Sequence, residues 1–453
     1  KKIKSHTFDV LLGYSYQQEF RNQTDLESRD FADDNLRNVS GATSITATSR
    51  SSKWALESFF SRLQYDFDNK YTLSASIRRD GSSRFGANTK YGSFVSASAG
   101  WVLSNESFFP DDKVVNYAKL RVSFGQTGNN QIGDFGSVAL VSADNYVLNG
   151  SLTSGVYTST SPNADLSWET NSALNFGLDL GFLQSKLLFT AEYYISKTTD
   201  LLLDVPVPQQ SGFSESLQNI GELENKGIEF ELKGRNFNIG DLKLGFNANI
   251  SSYKNKILAL GNGQDQIIFG SGVDFITKVG YPVAQFYNYN VTGVYKSQSE
   301  IDNDPVTPLS GTEVGDYIVQ DTNGDGRITS DDRAMQGDFN PDFTYGFGFT
   351  MAYKGFDLSA QFTGVEGRKV SDNIINRTES GEGFFVPSQY YFDNSFHDRN
   401  PDGFFRRPDF SSFSSAGRLT RKSNLSVLDG DYFRLRSLQL GYTLPNEIIE
   451  KLN

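Results

Sequence analysis

The one stretch of this 453-residue sequence whose spacing closes a chemical site runs from Asp321 to Asp332, read as DTNGDGRITSDD. Side-chain oxygens fall at positions 1, 3 and 5 through Asp321, Asn323 and Asp325. Gly326 at position 6 permits a sharp turn. Arg327 at position 7 offers a backbone carbonyl, Thr329 at position 9 reaches through water, and Asp332 closes position 12. Hard oxygen ligands at this spacing suit Ca²⁺. Position 12 is Asp, not Glu, as in dockerin-like loops, so the closing carboxylate reaches less far. The plainer alternative is an Asx- and Gly-rich surface turn without metal. With calcium, the expected role is structural: the ion pins a long loop.

Little else in the chain has the spacing of a reactive site. The two histidines, His6 and His397, are far apart in sequence. There is no cysteine, which excludes a thiolate zinc site, a cysteine nucleophile and a disulfide framework. No HExxH, G-x-S-x-G or P-loop pattern occurs. The count of carboxylates leaves a glycosidase pair open, but most alternate along strands or sit in loops, where a solvated role is the expectation. No catalytic residue is assigned and no enzyme activity is expected. With 42 basic and 54 acidic residues the net charge is −12, which argues against nucleic acid as a partner.

Two further groups leave their roles open. Arg78, Arg79, Asp80 and Arg84 lie where a strand enters its loop; they form either a substrate or plug contact or a structural ion network at a rim. Tyr281, Phe286, Tyr287, Tyr289 and Tyr295 could stack sugars, meet a lid protein or belong to an aromatic girdle.

The elements that must position these residues are strands. The chain has 37 Phe, 22 Tyr, 42 Gly and only 2 Met, a palette of strands and turns. Period-two alternation recurs along its length. Leu120, Val122 and Phe124 alternate with Lys119, Arg121 and Ser123; Phe343, Tyr345, Phe347, Phe349, Met351 and Tyr353 alternate with Thr344, Gly346, Gly348 and Thr350. Segments of this kind run to about 10–14 residues, longer than the usual 5–6 of soluble sheets and close to the 9–11 of a tilted membrane strand. No apolar run reaches the ~20 residues of a membrane helix. Lys1-Lys2-Ile3-Lys4 opens directly into strand-like sequence, with no signal segment.

The connections alternate in length. Short ones are expected at 68–70, 104–116, 182–186, 237–240 and 354–356. Long ones are expected at 19–53, 80–91, 126–167, 198–224, 255–340 and 365–430. That parity fits a barrel with short periplasmic turns and long extracellular loops. The pattern yields twelve strands, the last from Asp431 to Leu444 with a bulge near Ser437 and Leu438. Residues 284–295 could form another crossing; parity favours keeping 255–340 as one extracellular excursion carrying the loop at 321–332. A soluble sandwich or propeller also alternates, and strand length with loop asymmetry favours the barrel.

Several stretches then resemble one family. Tyr71 to Gly86 (YTLSASIRRDGSSRFG) is followed by Ser98-Ala99-Gly100-Trp101 and Glu106-Ser107-Phe108-Phe109. Next come Lys119 to Asn129 (KLRVSFGQTGN), Asn163 to Thr170 (NADLSWET), Asn219-Ile220-Gly221 with Asn225-Lys226-Gly227-Ile228-Glu229, and Asp429 to Arg436 (DGDYFRLR). Their order and spacing resemble the SusC/RagA family of TonB-dependent outer-membrane transporters from about residue 7 to 445.

The resemblance implies an all-β transmembrane antiparallel barrel of about 22 strands, of which about 12 are expected here. It implies a plug domain, a TonB-contacting segment and the remaining strands outside these residues, the chain being part of a longer protein. It implies an outer-membrane importer of a Bacteroidota-like Gram-negative cell, taking up oligosaccharides or peptides with a SusD-like surface lipoprotein and TonB, in contact with outer-membrane lipid. A non-transporting receptor or adhesin, and a secreted calcium-binding glycan-active β-domain, are the competing expectations.

Overall fold

A computed structural model describes residues 2–445 apart from 111–113, 271–272, 373, 375–377, 379–385, 409–418 and 420–421. Twelve long strands form one ladder in which each neighbours the next in sequence. They are β1 (His6–Phe31), β2 (Ala42–Phe67), β3 (Tyr71–Ser82), β4 (Tyr91–Val102), β5 (Val115–Asn129) and β6 (Glu169–Phe182). β7 (Leu187–Thr199), β8 (Glu222–Ile239), β9 (Leu242–Ala259), β10 (Phe343–Tyr353), β11 (Phe356–Glu366) and β12 (Tyr432–Tyr442) complete it. A two-residue strand, Lys2–Ile3, adds to β1. No described helix is long and apolar enough to cross a membrane.

The chain divides into two compact units. The first comprises residues 1–109, 119–176 and 196–222. Its ladder sorts side chains into rows. Phe67, Tyr71, Trp101 and Leu120 are successive cross-strand partners, as are Leu63, Ala75, Ala97 and Phe124. One residue along, the rows turn polar: Gln64, Ser74, Ser98 and Ser123. Ser74 and Ser98 share a hydrogen bond of 2.7 Å, and so do Ser76 and Ser96. The apolar rows are the uncovered ones: Leu73 is 48% exposed and Phe124 39%. An apolar face of this extent is not stable in water and is the face a membrane solvates.

Aromatic residues mark both ends of that face. Phe67, Tyr71, Trp101 and Phe108 follow one another at ring spacings of 6.2, 6.3 and 6.3 Å near the short turns. At the other end, Tyr14 and Tyr91 both donate to Glu57, at 3.2 and 2.9 Å. From Tyr91 to Trp101 a tilted strand rises roughly 25 Å, the height of the apolar band of such barrels.

The turns follow local chemistry. Asp68 and Asn69 take left-handed φ values of 55° and 52°, and Lys354-Gly355 take 45° and 87°, the geometry that closes a tight hairpin with the twist of its strands.

The segment 19–53 is not a long loop. β1 and β2 are 26 residues each and stay paired from His6↔Phe67 to Phe31↔Ala42, leaving a connection of 32–41. Beyond Leu56↔Ser82 this ribbon has no β3 beside it. Both of its faces are solvated there, so Thr24, Ser28, Thr46 and Ser49 replace the apolar alternation while the backbone ladder continues. Two other long connections contain hairpins of their own, Val141–Leu148 with Ser151–Thr158 and Leu202–Pro206 with Glu215–Asn219.

The second unit comprises 110–118, 177–195 and 223–453. β9 pairs directly with β10. Residues 284–295 form two short strands, Gln285–Tyr289 and Val291–Val294, in small sheets off the ladder. Between β11 and β12 the register shifts so that Gln361 faces Ser437 and Phe362 faces Leu435. The bulged residue is therefore Arg436, one position before the expected pair.

Candidate metal loop and signature-motif cluster

In the first unit the signature stretches meet at one place. Phe85, Phe94, Leu166 and Trp168 form a buried cluster, with Leu56, Ile132, Leu202 and Leu217 against it. Phe94 lies on the face opposite Val95 and Ala97, so this cluster sits behind the lipid-facing surface. Backbone bonds lock it: Gly86 N donates to Leu166 O (3.1 Å) and Trp168 Nε1 to Lys90 O (3.0 Å). Asn219 accepts from Ser167 N at 2.7 Å and donates to Ser167 O at 2.8 Å. Gly86 has no room for a side chain, because a Cβ there would lie 1.8 Å from Ala164 O.

The arginine group joins the same construction. Arg78 pairs with the buried Asp80 at 2.8 Å and donates to Ser58. Arg84 pairs with Asp134 at 2.8 Å and covers the Trp54 ring at 4.9 Å. Arg79 lies over Tyr91 at 5.2 Å. These are structural ion and cation–π contacts at the strand ends.

A role that the sequence did not disclose belongs to Glu106. It accepts from Tyr71 Oη at 2.5 Å, Trp101 Nε1 at 3.0 Å and Lys70 Nζ at 3.3 Å, tying two motif aromatics to the short-turn end.

The loop from Asp321 to Asp332 lies in the second unit and folds as an oxygen-lined turn. Asp321 accepts from Gly324 N (2.7 Å) and Gly326 N (2.9 Å). Asn323 accepts from Asp325 N (2.9 Å), and Asp325 from Arg327 N (3.0 Å). Gly324 and Gly326 have φ of 76° and 82°, which side chains resist. Thr329 and Asp332 form a reciprocal cap, and Asp332 also accepts from Thr322 N at 3.0 Å. The Gly326 amide, first among several groups, holds the Asp321 carboxyl below its ordinary range. Among the described residues no three His, Cys, Asp or Glu side chains already converge on one point. The loop's donor set would instead mix carboxylates with the Asn323 amide and the Arg327 carbonyl, each of which has lone pairs beyond those used by the amides.

The loop is anchored at both flanks. Ile328 enters a buried cluster with Val291, Val294, Tyr317, Val319 and Leu419. Thr307 N donates to Gly326 O (2.8 Å) and Ile328 N to Thr307 O (2.9 Å). Arg333, the next residue after the loop, pairs with the buried Asp274 at 2.9 Å and lies over the Tyr287 ring at 5.0 Å. Lys422 reaches the same Asp274 at 3.0 Å.

The aromatic group at 281–295 is thus not a membrane girdle. Phe286 and Tyr295 are buried, and Phe286 packs on Phe275 at 5.1 Å. Tyr295 donates to Asp304, and burial raises its phenol well above the usual range. Only Tyr281 stays exposed, under Lys278. The histidines serve locally: His6 bonds Tyr65 Oη at 2.8 Å, and His397 accepts from Arg399 N at 3.2 Å.

Comparison with known proteins places these motifs. A family described as "TonB dependent receptor-like, beta-barrel" matches residues 3–298. TonB-dependent receptor P3 of Formosa agariphila is 33% identical across 100% of this chain and 45% of its own length. TonB-dependent receptor SusC of Bacteroides thetaiotaomicron is 27% identical across 98% of this chain and 43% of its own. A solved structure of the RagAB peptide transporter aligns over 100% of this chain and 48% of that one, with TM-score 0.82 and 27% identity. The chain thus spans about half the length of the curated relatives it matches.

Proposed function

Because this chain belongs to the TonB-dependent receptor β-barrel family, as an outer-membrane protein similar to SusC and RagA, we propose that it is barrel sequence of a nutrient importer. The cargo is an oligosaccharide or a peptide, captured with a SusD-like surface lipoprotein and imported with energy delivered through TonB. The observation that carries this reading is the alignment of the whole chain on the RagAB peptide transporter at TM-score 0.82.

The lumenal cluster supports it. Phe85 from one connection packs with Leu166 and Trp168 from another behind the lipid face, where they fix loop positions in a wide barrel. In this reading the short turns face the periplasm. The ribbon and the long connections face outward, including residues 260–342 with the oxygen-lined loop.

Deleting the gene and restoring the full-length protein provides the test. Cells are offered peptide mixtures and oligosaccharides separately, and uptake is followed by mass spectrometry of the medium. Loss of uptake of one class, rescued by the full-length gene, is expected. Unchanged uptake of both classes, with surface binding of cells or glycans lost instead, overturns the importer in favour of an adhesin or receptor.

A further inference from the structure

The strongest unexplained feature is a charge. Four described aspartates are buried: Asp80, Asp274, Asp316 and Asp332. Three of them face a cation. Asp80 has Arg78 at 2.8 Å, Asp274 has Arg333 at 2.9 Å and Lys422 at 3.0 Å, and Asp316 has Arg406 at 2.6 Å. Asp332 is 0% exposed and, among the described residues, no cationic side chain pairs with it, with Asp321 or with Asp325. A buried carboxylate without a counter-charge is costly, and amide hydrogen bonds offset only part of that cost. Here it closes a loop in which Asp321, Asn323 and Asp325 turn their side-chain oxygens onto the loop's own amides.

We propose that Asp321–Asp332 binds Ca²⁺ and that the ion fastens two separate connections of the chain to each other. Asp321, Asn323, Asp325 and Asp332 supply side-chain oxygens, Arg327 its carbonyl, and Thr329 acts through water. The ion supplies the missing positive charge beside Asp332. Calcium suits this donor set better than Mg²⁺, which demands a near-ideal octahedron and keeps its waters.

The fastening follows from what the loop holds. Its last ligand precedes Arg333, which shares Asp274 with Lys422 of the later connection. Strand residues next to the loop's hydrophobic anchor bond that connection directly: Tyr289 N donates to Lys422 O (2.8 Å) and Val291 N to Asn424 Oδ1 (2.9 Å). Ordering residues 321–333 therefore orders the segment around 422–426 as well.

The purified full-length protein in detergent is stripped with EDTA and returned to Ca²⁺ or Mg²⁺. Bound metal is measured by elemental analysis, and limited proteolysis with mass-spectrometric site mapping follows residues 260–342 and 386–429 separately. About one Ca²⁺ per chain at this loop is expected, with joint protection of both segments by Ca²⁺ and not by Mg²⁺. Asp325→Asn keeps the turn's acceptor oxygen and removes one ligand charge; it should weaken Ca²⁺ binding about tenfold or more while leaving the ion-free cleavage pattern unchanged. Asp302→Asn, on an exposed helix of the same excursion, should change neither. Identical cleavage in Ca²⁺ and EDTA, equal protection by Mg²⁺, protection confined to 260–342, or full binding in Asp325→Asn would each overturn the proposal.

Discussion

The buried pair Asp316–Arg406 offers the sharpest mutational test of how the two long connections fold together. Both side chains are almost fully enclosed, at 2% and 1% exposure, and Arg406 Nε lies 2.6 Å from Asp316 Oδ1. Asp316→Asn removes the carboxylate that lies 2.6 Å from the buried guanidinium. Removing one partner of such a pair costs about 3–5 kcal/mol, whereas replacing both with apolar residues is often close to neutral. The barrel ladder itself is not touched. The loss should appear as local opening of residues 260–342 and 386–408, which native-state proteolysis reads as a population. At about 1.4 kcal/mol per tenfold, cleavage there rises roughly a hundred- to several-thousand-fold. The double variant Asp316→Leu with Arg406→Met should recover most of the loss. Single variants that change cleavage less than tenfold, or a double variant that is the sum of the singles, would refute the reasoning.

Other consequences follow from the same geometry. Trp168→Ala removes a ring from the lumenal cluster and should cost about 3–5 kcal/mol; Gly86→Ala, blocked by the Ala164 carbonyl, should give the same protease-sensitive 163–169 segment with no loss of apolar area. Ala97→Arg, in the middle of the lipid-facing rows, should cost about 2–4 kcal/mol of barrel stability, whereas Ser96→Arg on the opposite face should cost less than half as much; unfolding monitored by gel mobility before and after heating measures both. Because Asp321 is held below its ordinary range, its folded value lies below its unfolded one. Its stabilising contribution is therefore complete above the ordinary value of about 3.9 and fades as pH falls below that. A pH titration of the loop's protease protection should stay flat from about pH 8 to 5 and drop only near or below 4; a drop near neutrality would contradict it.

What the sequence disclosed and what it concealed divide along physical lines. Leu120, Val122 and Phe124 declare a lipid face because one side of their strand must be apolar and the other need not be. The ribbon from Gln18 to Phe31 and Ala42 to Lys53 hides its strands, since neither face is buried and Thr24 opposite Ser49 looks like loop composition. The spacing from Asp321 to Asp332 is local, so it is readable residue by residue. The burial of Ile328 within it is not, because it depends on packing with Val291 and Tyr317, up to some forty positions earlier. Long-range pairings such as Trp168 with Lys90 or Arg406 with Asp316 leave no trace in spacing. The resemblance of the signature stretches identified the family without revealing that Phe85, Leu166 and Trp168 touch.

The lipid face itself can be measured residue by residue, because this chain contains no cysteine. Single cysteines introduced at each position from Lys119 to Phe124 in the full-length protein, labelled with a fluorophore and reconstituted with quencher-bearing lipids, report which side chains meet the bilayer. Strong quenching at positions 120, 122 and 124 and little at 119, 121 and 123 is expected. Quenching without that alternation, or none at any of the six, would contradict a membrane-spanning sheet with one lipid face and one lumenal face.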